Sequence, residues 1–475
     1  MSLTSGTYFV FLIAIFFAYW LVADRARWRI VLLALAGCLF YSQVGWQGLC
    51  LLASLTVVDF TTTRLMRRTD SARMRRLLLA FSLASDIGVL CVFKYADFFV
   101  EAAAGGLSLF GLDVTIGQPG LIAPMGISFI VFQSLAYVID VYRRDTEPAQ
   151  SYQEYLAFIS FFPTVIAGPI LRAKQLLPQL QSRVRLDPAT GGQALFLIAV
   201  GLIKKIAVAD YLSANLVDRV FDFPERFSSL EVLAAVYGYA FQIYADFSGY
   251  SDIAIGSALL LGLRLPANFD APYRSRSLTE FWRRWHISLS TWLRDYLFFT
   301  VAGKRVRSGA ALYFGIVITM LVGGLWHGPT WTFVLWGALH GAGLVIARWF
   351  MNVRKRHPFL QFNSRASDAA GLFLTFHFVC FAWVFFRADG LDRALAVLNQ
   401  MAGLTVDTSN LALPVLLVMA LAAASHSLPA SISDKAQKGF SRLPSPVQAS
   451  MLFALAVGLY MVASSDVVPF IYSRF

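Results

Sequence analysis

The stretch Tyr8-Phe9-Val10-Phe11-Leu12-Ile13-Ala14-Ile15-Phe16-Phe17-Ala18-Tyr19-Trp20-Leu21-Val22 is apolar without interruption. No Lys or Arg precedes it, and Arg25, Arg27 and Arg29 follow it. Its apolar side chains do not alternate with period two, so it reads as a helix in lipid rather than a barrel strand. A cleaved signal peptide carries its positive charge before the apolar core, the reverse of the order here. The segment is therefore expected to remain as a first span, with the N-terminus outside and the first basic loop in the cytoplasm.

The pattern recurs at about residues 30–43, 48–62, 77–99, 121–141, 152–171, 193–214, 230–263, 309–326, 331–350, 369–386, 411–425 and 448–465. Some of these are shorter than the roughly 20 residues of a straight crossing. The expected fold is all-α: a polytopic membrane protein of about ten to twelve spans plus re-entrant and interfacial helices. One domain covers 1–475, with no internal repeat and no separate soluble module.

Composition agrees. Of 475 residues, 57% are hydrophobic and 14% charged, too little polar surface to cover soluble cores. The net charge of +12 sits in short loops, where membrane lipids and the positive-inside rule account for it; no nucleic-acid module accompanies it. Cys38, Cys50, Cys91 and Cys380 lie in or at apolar segments without a CxxC pair, as small buried hydrophobes would.

Loop charges orient the array. Arg64, Arg67, Arg68, Arg73, Arg75 and Arg76 share one loop with Asp70, while Glu101 and Asp113 occupy the next without a basic residue. Arg143 with Arg144, and Arg354 to Arg356, mark further cytoplasmic turns. Residues 152–171 have basic residues at both ends and are interrupted by Pro163 and Gly168-Pro169. A broken or re-entrant element buried in protein is the economical reading, a bent full span the alternative. Residues 264–308 form the longest charged region, cytoplasmic or interfacial. In it Ser277 can cap a helix with Glu280 at the capping-box position. The run to Ser290 puts Trp282, Trp285 and Leu289 on one face and Arg283 and Arg284 outward, as in an amphipathic helix.

Ionisable groups inside apolar segments are the functional candidates. His327 lies in Gly323-Gly324-Leu325-Trp326-His327-Gly328-Pro329, at a helix break, where an imidazole can exchange protons with a group entering a polar cavity. The plainer alternative is a histidine hydrogen-bonded in the bundle or resting at the headgroup level. His286 could hold an anionic substrate, support His327 or anchor its helix. His340 would lie about 20 Å beyond His327 if one helix were continuous, and so reads as packing. Gln242 with Asp246, and Ser248 with Asp252, are spaced to share a helix face, as a substrate channel or as a structural polar seam. No HxxxH, HxxH or HExxH spacing is present, so no metal site is expected, and a GxSxG hydrolase elbow is lacking too.

The stretches Pro124 to Phe129, Phe132 to Leu135, Tyr137 to Arg143, Phe161-Phe162-Pro163, Ala167 to Ile170, Gln242 to Asp252 and Asn268 to Tyr273 carry a resemblance. Most specific are Glu280 to Ser290 and Gly324-Leu325-Trp326-His327-Gly328; Pro469 to Tyr472 adds to them. Together they resemble the membrane-bound O-acyltransferases, in the bacterial branch of alginate O-acetylation membrane proteins and D-alanine transfer proteins. The resemblance implies a helical membrane fold with a cytoplasmic funnel. It also implies His327 as catalytic, and His286 as a second required histidine on the same route. An acyl group would pass from a thioester, acetyl-CoA in the polysaccharide branch, toward a hydroxyl of an exported polymer. Periplasmic O-acetylase partner proteins would complete delivery, placing the chain in the bacterial inner membrane. Departures from the branch pattern are Ala245, Thr164, residues 299–305, and Pro329 with Thr330.

On this reading His327 accepts the proton of an attacking hydroxyl, and His286 orients a reactant or stabilises the oxyanion. Trp326 joins Gln242, Asp246, Ser248 and Asp252 along the channel. Arg283, Arg284, Lys304 and Arg305 would attract CoA phosphates or an acidic carrier protein, or serve only as positive-inside charge. Nothing tightly bound is implied. Rival readings are transfer from an acyl-carrier-protein thioester to a cell-envelope polymer, a polysaccharide or glycolipid transporter without acyl transfer, and a scaffold recruiting a secreted acetylase.

Overall fold

The computed structural model describes residues 2–112, 114, 117–303, 309–357 and 365–463. Helix is the only regular secondary structure among them. Among the described residues six helices are long and apolar enough to cross a bilayer: Trp46–Arg68, Ala72–Phe93, Gly309–His327, Trp331–Arg356, Arg365–Arg387 and Ser445–Val462. Leu413–Ser427 and Ala430–Ser441, bent by 95° at a break, raise the number to seven if counted as one span. Apolar segments alone suggested ten to twelve. The difference comes from segments that fold short or broken: Gly6–Leu21 has 16 residues, Ile127–Arg143 has 17, and Pro188–Leu202 gives way to a π-helix over Ile203–Asp210. Leu77, Phe81 and Ile87 on one span, and Phe453 and Tyr460 on another, are exposed, as lipid-facing side chains are.

The chain divides into two compact units. One comprises Met1–Asp187 with Ser257–Pro266, the other Pro188–Gly256 with Ala267–Phe475. In the first, hydroxyl caps set the helix starts: Ser5 accepts from Tyr8 N, Ser71 from Met74 N, Ser151 from Glu154 N. Arg67 and Arg68 sit in the last turn of Trp46–Arg68, where the helix dipole favours cations. The interrupted segment is a broken element. Helix Tyr152–Ile159 stops after eight residues, and positions 157–173 are buried throughout. Pro163, Pro169 and Gly168 at φ 126° keep this stretch irregular. Gly37 of Ala26–Tyr41 lies against the Ser160 backbone, where a Cβ would collide.

In the second unit small residues bring helices into backbone contact. A Cβ on Gly201 would meet Gly249 O at 2.6 Å, and one on Gly256 would meet Ala194 O at 2.7 Å. Gly309–His327 and Trp331–Arg356 form a hairpin on the same principle, with Gly324 against Phe333 O and Gly337 against Met320 O. Because the chain folds back at Gly328-Pro329-Thr330, the continuous-helix separation assumed for His340 does not hold.

Candidate active site

The expected amphipathic helix over Ser277–Ser290 is two helices, Leu278–Arg284 and Ile287–Trp292. Ser277 caps the first, its hydroxyl accepting from Glu280 N. Glu280 turns back one residue further than a capping box requires, accepting from Arg276 N at 2.9 Å. The break falls at His286, whose backbone is left-handed at φ 41°, a conformation costing about 1–3 kcal/mol outside glycine and held only by its surroundings.

Asn268 holds it. Its main-chain O accepts from Ile287 N at 2.9 Å. Its Oδ1 accepts from Ser288 N at 3.2 Å and Ser288 Oγ at 2.8 Å, and its Nδ2 donates to Ser251 Oγ at 3.3 Å. Those partners fix which amide atom is oxygen, and His286 Nδ1 lies 3.2 Å from it. Nδ1 therefore carries the hydrogen, leaving Nε2 as the acceptor of the neutral ring. His286 is fully buried against Phe247, with ring centroids 4.6 Å apart. Burial pushes its pKa down to about 3. Such a ring stays neutral but is a weak proton acceptor, suited to hydrogen-bonding a reactant rather than deprotonating it.

His327 ends its helix with 3% of its surface exposed. Aromatic rings surround it, among them Trp326 at 5.0 Å, Phe386 at 5.0 Å, Trp336 at 5.1 Å and Phe333 at 6.3 Å between centroids. Gly328 is required next, since a Cβ there would overlap the Phe333 ring. Trp326 lies beside both histidines, its ring centroid 5.9 Å from that of His286 and 5.0 Å from that of His327. The structure thus gathers His286, Trp326 and His327 in one place. His340 belongs to the packing beside them, accepting from Trp282 Nε1 at 3.2 Å and tilted against the Trp336 ring at 4.7 Å.

The polar seam is built differently from the sequence picture. Asp246 pairs with Lys205 at 2.7 Å, which also pairs with Asp210 at 2.7 Å; Asp252 pairs with Lys204 at 2.6 Å. Lys205 is 4% exposed. Both lysines come from the π-helix Ile203–Asp210, whose wider turn presents consecutive cations to the helix Ser229–Leu260. Gln242 Oε1 and Ser248 Oγ are buried and have no hydrogen bond among the described residues. Sequence reasoning missed Lys204, Lys205, Asp210 and Asn268. The lysines did leave a signal, two cations in an otherwise apolar run, which demands acidic partners.

Arg283 is exposed and makes no ion pair among the described residues. Arg284 is engaged by Asp270 and Glu280, each at 3.0 Å. Lys304 and Arg305 lie outside the described residues. Arg284 lines a cavity of about 780 Å³ with Arg274, Arg276, Tyr273, His377 and His426. His426 accepts from Tyr273 N at 3.0 Å, and His377 meets the Tyr237 hydroxyl at 2.9 Å, so both have structural partners. Ring contacts lead inward from the cavity wall: Tyr273 to Trp285 at 6.2 Å, Trp285 to Phe269 at 5.1 Å, Phe269 to His286 at 6.4 Å. These ring contacts run from the charged cavity to His286.

Residues 9–388 match the membrane-bound O-acyltransferase family. A protein of Azotobacter vinelandii named probable alginate O-acetylase is 39% identical over 397 residues, 82% of this chain and 76% of the relative. The peptidoglycan O-acetyltransferase of Helicobacter pylori is 34% identical over 78% of this chain and 73% of its own. The teichoic acid D-alanyltransferase of Streptococcus thermophilus is 30% identical over 59% and 72%. With its apolar helices and its paired buried histidines, this multi-pass membrane protein belongs to the membrane-bound O-acyltransferase family and is an acyltransferase.

Proposed function

We propose that the protein transfers an acetyl group from acetyl-CoA toward a hydroxyl of an exported polysaccharide. It would act from the bacterial inner membrane, with periplasmic partner acetylases completing delivery. The similarity to alginate and peptidoglycan O-acetylating relatives supports the acetyl group and the polymer class. The observation that carries the reading is the convergence of His286 and His327 on one indole ring, that of Trp326.

His327 Nε2 or Nδ1 takes the proton as the acceptor oxygen attacks the thioester carbonyl. The new C–O bond gives a tetrahedral oxyanion. The C–S bond then breaks, and the proton passes to the leaving thiolate, yielding the ester and free CoA. His286, neutral and held in one tautomer by Asn268, orients a reactant through Nε2. The aromatic shell keeps water from competing with the acceptor. CoA phosphates are received at the 780 Å³ cavity by Arg274, beside Arg276, which pairs with Asp368 at 2.8 Å, with Arg283 exposed nearby in sequence.

The test uses purified protein in proteoliposomes with labelled acetyl-CoA, acetyl-loaded carrier protein, or neither. Acceptor-dependent release of free CoA with the first donor supports the reading. Release only from the carrier protein moves the donor assignment. Polymer movement without any thioester cleavage would replace acyl transfer by transport.

A further inference from the structure

Two fully buried carboxylates lie in the first unit, in helices that the acyl-transfer site does not use. Asp59 sits on Trp46–Arg68 and Asp86 on Ala72–Phe93, both 0% exposed. Asp59 is heavily hydrogen-bonded. Its Oδ2 accepts from Ser134 Oγ at 2.6 Å and Tyr155 OH at 3.1 Å, and its Oδ1 accepts a short bond from Ser82 Oγ. Three donors aimed at one carboxylate are the surroundings of its ionised form. Asp86 is the opposite case. It lies one turn beyond Ser82 on the same helix face, close enough to Asp59 and Tyr155 for its charge to act on both. Neither of its oxygens has a hydrogen-bond partner among the described residues.

Among the described residues no Lys, Arg or His forms an ion pair with Asp59 or Asp86. Of the basic groups nearest in the sequence of these helices, Arg75 donates to the carbonyls of Met66, Val141 and Tyr142, and Lys94 donates to Ser128 Oγ. Of the titratable groups on the packed helices, Asp59 and Tyr155 of Tyr152–Ile159 lie close enough to interact with the charge of Asp86, and Tyr137 of Ile127–Arg143 lies close to Tyr155. Tyr137 is occupied by Thr63 Oγ1 and Ala149 N. Two adjacent charges without a counter-ion do not survive in a dry interior. Both Asp59 oxygens are already taken by the Ser82, Ser134 and Tyr155 hydroxyls, and among the described residues no third His, Cys, Asp or Glu joins the pair as a metal ligand.

We propose that Asp59 and Asp86 form a proton-binding pair, with Asp86 the protonated member and Asp59 its ionised, hydroxyl-bound partner. The proton permits Trp46–Arg68 and Ala72–Phe93 to pack face to face, and its loss sets two charges against each other there.

Infrared difference spectra of the purified full chain at neutral pH, wild type against Asp86→Asn, test this directly. The expected result is a protonated-carboxyl carbonyl band in the wild type that D86N removes and Asp59→Asn leaves. Thermal unfolding gives the second readout. A proton held by the folded state makes wild-type stability fall as pH rises from the ordinary carboxyl range. The unfolding constant relative to D86N then grows by up to tenfold per pH unit. Asp86→Leu serves if D86N does not fold. Absence of the band from the wild type, or its persistence in both Asp86 variants, overturns the proposal. So does stabilisation of the wild type, but not of the variants, by sodium over choline chloride, which assigns the site to a metal ion.

Discussion

Replacing Asn268 by Ala removes the single oxygen on which Ser288 N, Ser288 Oγ and His286 Nδ1 converge. The Ser288 hydroxyl, 3.4 Å from His286 Nδ1, can turn to accept a weak bond from it, but the buried Ser288 N–H finds no such replacement. A stranded donor costs about 1–3 kcal/mol, and the left-handed His286 loses the contact that holds it. The expected destabilisation is about 3 kcal/mol, read as a lowered unfolding midpoint of purified protein in detergent. With its tautomer no longer fixed, His286 should lose at least 1.4 kcal/mol of transition-state contact, about tenfold in acetyl transfer. Asn268→Asp separates the two effects. It keeps the acceptor oxygen, so most stability returns, but it sets a negative charge against the imidazole. The wild-type ring stays neutral down to about 3. A raised value protonates Nε2 at higher pH, so the acid limb of the rate profile moves upward. Unchanged unfolding and unchanged transfer in Asn268→Ala would refute the role given to this side chain.

Lys205→Met strands Asp246 and Asp210 and should destabilise the protein by about 3–5 kcal/mol, with much of it recovered by adding Asp246→Leu; thermal unfolding of the two variants decides. Gly324→Val forces a branched side chain into Phe333 O and should prevent the helix hairpin from forming, seen as loss of monodisperse protein on size exclusion. Arg274→Ala should raise the KM for acetyl-CoA several-fold while kcat holds, whereas Arg284→Ala, whose charge is already balanced by Asp270 and Glu280, should change KM less and stability more.

The membrane class was legible because Tyr8–Val22 and its successors are continuously apolar, and that property survives any tertiary arrangement. The broken segment was legible in Pro163 and Gly168-Pro169, whose backbone limits act locally. The Ser277 cap was legible for the same reason. The break at His286 was not. Trp282, Trp285 and Leu289 keep helical spacing across it, and the partner that imposes the turn, Asn268, stands 18 positions earlier. Likewise Asp246 and Asp252 showed themselves as expensive groups, but their lysines come from another helix, with 48 positions between Lys204 and Asp252. His340 was placed far from His327 by a straight helix that in fact folds back at Pro329. Local chemistry was readable; pairings across helices were not.

The central claim is that His327 performs proton transfer in acyl transfer. Single-turnover transfer from labelled acetyl-CoA, compared between wild type and His327→Ala with matched unfolding midpoints, tests it most directly. The variant is expected to stay folded, to bind the donor still and to form no ester. Ester formation at the wild-type rate in the folded variant would contradict it.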